Sequence, residues 1–298
     1  MAAEWLDLGE GNYAVLSGSN IGFIVQGDSA LMVDTGLDKD GPRKALRALE
    51  AIEARLAAEV ITHGHADHFG GAGWLSRRSA IPVYAPPLEA VFVAHPFLEP
   101  LFLYGGAAPI AELRGKFTLA EQETPIAGTL LPGVQTIAGI EVDIVPLPGH
   151  APEQVGIARG QTLYCGDALF PEETLQRHPI LFCADLDAWL ETLAQLPELP
   201  YHHIVPGHGP LVADIASLAG ANANRLQEIR AVAYEALITP QEPAGILRAV
   251  AAHYGVTFAA PHFYLLALTT IHAALTSLQQ AGEARVFVEN NQLLWQRA

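Results

Sequence analysis

The chain has 298 residues, half of them hydrophobic, which is enough to bury the core of one large domain or of one large and one small domain. Its 32 acidic and 16 basic residues give a formal net charge of -16, a surface that repels phosphate backbones and argues against nucleic acid as a partner. Two cysteines exclude a disulfide framework, the acidic first residues do not predict a signal peptide, and no apolar run reaches the ~18 residues of a membrane span. We therefore expect a soluble, cytoplasmic protein with no membrane partner.

Apolar runs that predict strands alternate with segments of helical periodicity through the first two thirds of the chain. The predicted strands lie at residues 12–34 (a hairpin), 60–62, 81–84, 134–147, 155–158, 162–165 and 203–205. One helix is predicted to begin at Gly41, and two others are predicted at residues 70–79 and 185–196. This alternation predicts an α/β (α+β) domain over residues 1–212.

Residues 86–125 differ in character, because six prolines interrupt an apolar and aromatic stretch. We interpret this segment as a helical insert whose apolar side chains pack on the parent domain. A partner subunit, as in a homodimer, and a substrate are the alternative packing partners.

The chain becomes Ala-rich and helical after about residue 212. Helical segments at 214–237, 244–253 and 261–281 precede an alternating hairpin pattern around Asn290-Asn291. Three helices followed by a hairpin is the order of a winged-helix module, so we predict a small helical, winged-helix-like domain over 213–298. Its 5 basic and 6 acidic residues favour packing or dimerisation over contact with nucleic acid.

The motif His63-Gly64-His65-Ala66-Asp67-His68 concentrates three imidazoles and one carboxylate directly after a predicted strand. These groups are ligands suited to Zn²⁺ and similar ions. His150, Asp167 and His208 also follow apolar strands and are flanked by Gly or Pro. Strand ends on one rim of a sheet converge in space, so we expect all these side chains to meet.

Five histidines and two carboxylates exceed the four ligands of one tetrahedral ion but suit two ions. We expect one ion at His63, His65 and His150, a second at Asp67, His68 and His208, and Asp167 as a bridge. Two ions lower the pKa of a shared water, and the resulting hydroxide attacks a carbonyl or phosphoryl centre. In this scheme Asp67 and Asp167 are the candidate catalytic residues.

The motif, taken in order with Gly149-His150, Gly166-Asp167 and Gly207-His208, resembles the metallo-beta-lactamase-fold hydrolase superfamily over about residues 12–210. The resemblance implies a four-layer αβ/βα sandwich with a binuclear site between two sheets. It also implies that Asp34, in Val33-Asp34-Thr35-Gly36, is buried and supports the metal loop.

The ligand set is similar to that of the glyoxalase II, lactonase and ribonuclease branches of this superfamily. It differs from that of the beta-lactamases with a Cys ligand, so Cys165 is expected in the core. The C-terminal segment resembles the beta-lactamase-like endoribonuclease branch, although the 86–125 insert is longer than that branch leads us to expect.

These features predict a binuclear metal-dependent hydrolase that cleaves an ester, thioester or lactone bond of a small-molecule substrate. The expected cofactors are two divalent ions, with Zn first and Mn or Fe as alternatives. Three other functions stay open: hydrolysis of phosphodiesters in RNA, a persulfide dioxygenase-like reaction at one iron held by His63, His150 and Asp167, and a non-catalytic, metal-stabilised interaction module.

Substrate specificity depends on the walls of a pocket rather than on its metal ligands. We expect these walls to come from residues 86–125 and 170–183. The candidate substrate contacts are His95, Phe102, Tyr104 and His178.

Overall fold

A computed structural model describes residues 4–298, with side chains from Trp5 onward. Two β-sheets packed face to face carry helices on their outer faces, and a helical segment with a small hairpin follows. Within the described residues, no helix is both long and apolar enough to cross a membrane.

The first sheet has seven strands arranged in chain order. They are β1 (Glu4–Gly9), β2 (Asn12–Leu16), β3 (Ile21–Gln26), β4 (Ser29–Val33), β5 (Arg55–Val60), β6 (Val83–Ala85) and β7 (Ile126–Thr129). Pairing is antiparallel from β1 to β4 and parallel from β4 to β7. The parallel crossovers contain helices α1 (Asp40–Ala51), α2 (Ala66–Phe69) and α3 (Ala72–Ser79).

The second sheet has five strands in the order β12-β11-β10-β9-β8. They are β8 (Gly133–Ile137), β9 (Ile140–Pro146), β10 (Val155–Arg159), β11 (Thr162–Gly166) and β12 (His203–Pro206). The last pair, β11 and β12, is parallel. Its crossover contains α6 (Glu172–Arg177) and α7 (Leu186–Gln195).

Three apolar layers hold the sandwich together. Leu31 and Val33 of the first sheet pack between the sheets with Ile144 and Ile157 of the second. The other face of the first sheet packs on α1 and α3, and that of the second sheet packs on α7. The predicted four-layer αβ/βα sandwich is therefore confirmed.

The insert predicted at 86–125 contains α4 (Pro87–Ala94), α5 (Leu98–Leu103) and a 3₁₀ turn at Ala111–Leu113. Val93 and Leu113 are fully buried, whereas Phe102 is 70% exposed. The segment is thus anchored by part of its apolar surface and presents the rest to solvent.

The C-terminal segment contains α8 (Ile215–Ala236), α9 (Pro243–His253) and α10 (Pro261–Gln280), followed by β13 (Ala284–Glu289) and β14 (Gln292–Arg297). Three helices and a hairpin were the predicted elements. Their buried side chains form one continuous cluster with Leu163, Cys165 and Trp189 of the sandwich. The division at residue 212 stays a prediction, but this cluster joins the residues on both sides of it.

Local sequence explains where several helices begin. The Asp185 side chain accepts the N–H of Ala188 at the start of α7, and Asp214 accepts that of Ser217 at the start of α8. The sequence predictions missed the edge strands β1 and β7 and the helix α6. The helix predicted at residues 70–79 corresponds to α3, whereas the short helix α2, which contains Asp67 and His68, was not predicted.

Candidate metal centre

All seven predicted ligand residues lie together where strands of both sheets end. His63 follows β5, and Asp67 and His68 lie on the short helix α2. On the second sheet, β9, β11 and β12 are followed by residues 150, 167 and 208 respectively. The topology therefore brings ligands separated by up to 145 positions to one edge of the sandwich.

One cluster consists of His63, His65 and His150, whose candidate ligand nitrogens lie within 4.8 Å of one another. Nε2 of His150 is 3.0 Å from Nδ1 of His65. The His63 ring stands edge-on to both other rings, with centroid distances of 4.6 and 5.3 Å. Three converging imidazoles leave room for further ligands on a tetrahedral ion.

A second cluster consists of Asp67, His68 and His208, again within 4.8 Å. Oδ2 of Asp67 lies 3.3 Å from Nε2 of His208 and 3.9 Å from Nε2 of His68. The Ser19 hydroxyl donates to the same Asp67 oxygen over 3.4 Å. This cluster combines two imidazoles with a carboxylate.

Asp167 lies between the two clusters. Its Oδ1 is 3.2 Å from Nε2 of His68, and its Oδ2 is 3.4 Å from Nε2 of both His150 and His208. One carboxylate thus reaches nitrogens of both clusters, which is the position that a bridging ligand requires.

Asp34 is buried beneath the clusters and orients their ligands. Its Oδ1 accepts the N–H of Thr62, and its Oδ2 accepts the Thr62 hydroxyl and lies 2.9 Å from Nδ1 of His68. Because the Thr62 hydroxyl donates to Asp34, its oxygen is left to accept from Nδ1–H of His63, 3.1 Å away. Nε2 of both histidines then faces into the site.

Backbone carbonyls orient the imidazoles of the second sheet. Nδ1 of His150 is 3.0 Å from the carbonyl oxygen of Phe182, and Nδ1 of His208 is 2.6 Å from that of Gly18. A carbonyl only accepts, so Nδ1 carries the proton in both rings. Nε2 is therefore the ring nitrogen that faces Asp167 in both histidines.

The nitrogen and oxygen atoms that converge in the two clusters are suitable ligands for divalent ions. Nε2 of His63 is buried without a hydrogen-bond partner in the described residues, and Nε2 of His68 and Oδ1 of Asp167, which are 3.2 Å apart, have no partner there other than each other. Leaving such atoms unpaired costs ~1–3 kcal/mol each. Imidazole nitrogens and carboxylate oxygens suit Zn²⁺, Mn²⁺ or Fe²⁺, so bound ions would satisfy the unpaired atoms.

The electrostatics of the two clusters differ. Burial, reinforced by the neighbouring imidazoles, lowers the pKa of His65 to about 3, and burial lowers that of His150 to about 4. Burial also opposes the charge on His208, but the carboxylates of Asp167 and Asp67 outweigh it and raise its pKa to about 10. Neutral imidazoles on one side and imidazole–carboxylate pairs on the other are a donor set that cations would stabilise.

Glycine is required where the backbone passes closest to the ligands. A Cβ at Gly207 would lie 2.1 Å from Oδ1 of Asp167 and 2.6 Å from Cε1 of His68. The glycine that precedes His208 in the sequence therefore has a steric cause.

The four candidate substrate contacts are separated from the ligands by other side chains or lie at the surface. His95, Tyr104 and His178 are exposed. The Phe102 ring is 6.2 Å from that of Phe92, whose Cβ lies 2.8 Å from where a Cβ at Gly64 would be. A role of these four residues in substrate binding stays a prediction.

Three aromatic residues that the sequence did not single out surround the histidines. The Phe182 ring is edge-on to His65 at 4.9 Å, and the Trp189 ring lies 5.3 Å from that of His150. Phe170 stacks on His208 at 6.1 Å with an angle of 11°. Phe170 and Phe182 belong to the segment 170–183 that was expected to shape the pocket.

Two buried glutamates of the insert were also missed. Glu89 accepts the N–H of Gly64 at 2.8 Å, and Glu99 accepts that of Ala66 at 3.3 Å. Burial raises the pKa of Glu99 well above its usual range, and the charge of Asp67 adds to the effect. No local sequence signal marks these glutamates, because their partners are backbone groups distant in the chain.

Comparisons with known proteins show which proteins this chain is similar to. A family model described as the metallo-beta-lactamase superfamily matches residues 14–208. A probable metallo-hydrolase, YybB of Bacillus subtilis strain 168, is 28% identical over 192 residues, which are 63% of this chain and 79% of that protein. A hydroxyacylglutathione hydrolase of Thiobacillus denitrificans is 25% identical over 200 residues, 65% of this chain and 64% of that protein. The match thus covers slightly less than two thirds of the second relative.

Solved structures share the fold over the whole chain. A beta-lactamase domain protein from Burkholderia ambifaria aligns with a TM-score of 0.72 at 19% identity, covering 100% of this chain and 94% of that one. A metallo-beta-lactamase family protein from Thermus thermophilus gives 0.69 at 18% identity, with coverages of 100% and 99%. The family match and the hydrolase relatives support the prediction of a metal-dependent hydrolase. The chain belongs to the metallo-beta-lactamase superfamily.

Proposed function

We propose that this protein is a binuclear metal-dependent hydrolase that cleaves an ester, thioester or lactone. The observation that carries the proposal is the position of Asp167, which reaches nitrogens of both three-residue clusters. A single-ion site would not need a carboxylate between two separate ligand sets.

In this proposal His63, His65 and His150 hold one ion, while Asp67, His68 and His208 hold the other. Asp167 contacts both. Divalent ions held by these residues would lower the pKa of a water to near neutrality and would polarise a carbonyl oxygen. Zn is the first choice for this nitrogen-rich donor set, and Mn or Fe are alternatives.

The chain's own groups supply proton handling and orientation. Oδ2 of Asp67 is held by the Ser19 hydroxyl and faces His208, so it is placed to accept a proton released by a nucleophilic water. Asp34 and Thr62 fix the tautomers of the imidazoles before any substrate arrives. Such preorganisation avoids rearrangement of the ligands during the reaction.

Carbonyl substrates are favoured by the surroundings of the site. Aromatic rings of Phe170 and Phe182 border the histidines, and the chain's net charge of -16 disfavours polyanions. The hydroxyacylglutathione hydrolases among the relatives are named for a thioester substrate, which supports including thioesters.

The test combines metal analysis with a substrate panel. Protein purified without chelators should contain about two equivalents of Zn, Mn or Fe per chain. His65→Ala should bind at least one equivalent of metal less than the wild type, and its kcat/KM should fall at least ~100-fold. His202 is exposed, so His202→Ala serves as the matched control. A native protein that binds no metal would overturn the proposal.

The panel contains a p-nitrophenyl ester, a lactone, acylated glutathione and bis(p-nitrophenyl) phosphate. We expect turnover of at least one of the carbonyl compounds. Metal binding without turnover of any compound would instead favour a non-catalytic module, and oxygen consumption with a persulfide would favour an iron dioxygenase.

Phosphodiester hydrolysis of RNA is the second candidate function, favoured by the three helices and hairpin after residue 212. Against it, α10 contains neither Lys nor Arg, although a helix that contacts phosphates needs basic residues. Cleavage of single-stranded RNA that is lost in Asp67→Ala would place this activity ahead of carbonyl hydrolysis.

A further inference from the structure

A buried carboxylate from the insert lies between the two chain segments that carry the first ligand cluster. Oε2 of Glu89 accepts the N–H of Gly64 at 2.8 Å, and Oε1 accepts the N–H of Glu153 at 2.9 Å. Gly64 separates His63 from His65, and Glu153 lies three residues after His150. Glu89 is 2% exposed, so solvent does not compete for these hydrogen bonds.

The contact with the second segment is reciprocal. Glu153 donates its N–H to the side chain of Glu89, while its own Oε2 accepts the N–H of Leu88 at 2.6 Å. Leu88 and Glu89 are the second and third residues of α4. The pair of hydrogen bonds resembles a capping box, in which two residues at a helix N-terminus each accept the other's backbone N–H with a side chain. Here one of the two residues comes from a distant segment of the chain.

The contact with Gly64 is also built into the packing. A Cβ at Gly64 would lie 3.0 Å from Oε2 of Glu89 and 2.8 Å from Cβ of Phe92. Only a glycine lets the metal loop approach α4 this closely without displacing one of them. The insert therefore supports the metal loop from behind.

We propose that Glu89 is a positioning residue for the His63/His65/His150 cluster. By holding the backbone on both sides of that cluster, it fixes the distance between the imidazoles of the first sheet and that of the second. This inference rests on the proposed binuclear centre. It gives the 86–125 insert a role in assembling the site, separate from any contact with substrate.

Glu99 provides an internal contrast. It holds Ala66, on the side of the motif that leads to Asp67, and makes no hydrogen bond to the segment around His150 within the described residues. Glu89 alone of the two therefore joins the chain segments of the first cluster, so its removal should affect one ion more than the other.

The test measures metal affinity directly rather than through activity. Metal-free protein is titrated with Zn²⁺ in competition with a chromophoric chelator, for the wild type, Glu89→Ala and Glu89→Gln. Loss of a supporting partner typically costs ~10–100-fold in metal affinity. We expect Glu89→Ala to weaken one of two binding steps by this factor and Glu89→Gln, which keeps one acceptor oxygen, to weaken it less.

Two further variants identify the route of the effect. Glu153→Ala removes the side chain that caps α4 but keeps the backbone N–H bonded to Glu89, so its binding steps should match those of the wild type. His65→Ala already disables the first cluster, so adding Glu89→Ala to it should not weaken the remaining step further.

The outcomes separate this inference from the proposed function. Wild-type protein that binds no Zn²⁺ would remove the binuclear centre itself. Two wild-type-like steps in both Glu89 variants, equal weakening of both steps, or a further loss in the double variant would each overturn the role of Glu89 while leaving the centre intact. Circular dichroism checks the fold, and if Glu89→Ala is unfolded, Glu89→Gln decides.

Discussion

Gly207→Ala should disable the proposed metal centre by moving Asp167, the carboxylate proposed to be shared by both ions. The added methyl would lie 2.1 Å from Oδ1 of Asp167, whereas real Cβ contacts essentially never fall below 3.0 Å. Something must therefore move by about 0.9 Å. The glycine cannot retreat easily, because its N–H donates to the Gly166 carbonyl and its own carbonyl accepts from Asn20, both at 2.7 Å.

The displacement consequently falls on Asp167 and His68. Ligand distances in metal sites tolerate only ~0.2 Å, so a shift of this size exceeds the tolerance several-fold. A misplacement of about 1 Å can cost ~100-fold in rate. We expect Gly207→Ala to lose at least one equivalent of metal and ~100-fold in kcat/KM on whichever carbonyl substrate the wild type hydrolyses.

Metal analysis and steady-state kinetics provide the assay, and Gly220→Ala provides the matched control. Gly220 is exposed within α8, and a Cβ there would meet no atom within 4 Å. That change should leave the metal content unaltered and stabilise the helix by ~0.5–1 kcal/mol. Two bound ions and wild-type kcat/KM in Gly207→Ala would refute the steric argument.

Three further changes test the support of the site and the core. Thr62→Val removes the hydroxyl between Asp34 and His63 with little change in shape, and should weaken Zn²⁺ binding by ~10–100-fold in a chelator competition; unchanged affinity would contradict the tautomer assignment. Glu59 is fully buried, its oxygens have no hydrogen-bond partner in the described residues, and burial raises its pKa well above 4.5. The folded protein then holds a proton that the unfolded chain releases above this value, so the free energy of unfolding should fall as pH rises from 4.5 towards the folded-state pKa. Glu59→Gln should remove this contribution, so the free energies of unfolding measured with urea at about pH 5 and about pH 8 should differ less than in the wild type. An equal difference in the variant and the wild type would refute the reasoning. Leu275→Ala, at a fully buried position of α10, should cost ~2–5 kcal/mol and keep a single transition, whereas separate transitions would show that residues 213–298 unfold independently.

The convergence of the candidate ligands could be predicted because their signal is local. Each of the four groups of candidate ligands follows an apolar strand and is flanked by Gly or Pro, and the structure brings together all seven residues of these groups. The order of helices and hairpin after residue 212 was predictable for a similar reason, since helical periodicity survives over long segments such as α8 and α10.

The supporting residues could not be predicted because their signal is not local. Glu89 and Glu99 bond to backbone groups 25 and 33 positions away, and a glutamate on a short helix ordinarily lies in solvent. Phe182 is 32 positions from His150, whose Nδ1 faces its carbonyl. Short edge strands such as β7, with the sequence Ile-Ala-Gly-Thr, carry too few apolar residues to stand out.

Each ligand cluster takes residues from both sheets. His63 and His65 follow a strand of the first sheet and His150 one of the second, and the second cluster combines Asp67 and His68 with a histidine after β12. In the proposed binuclear centre, ion binding therefore requires the two sheets to be in register at this edge. Asp34, which follows β4 of the first sheet, has a backbone φ of +56°, an uncommon conformation for a residue other than glycine. Its carboxylate keeps hydrogen bonds to Thr62 and a contact with His68, so local strain is tolerated where it orients a ligand.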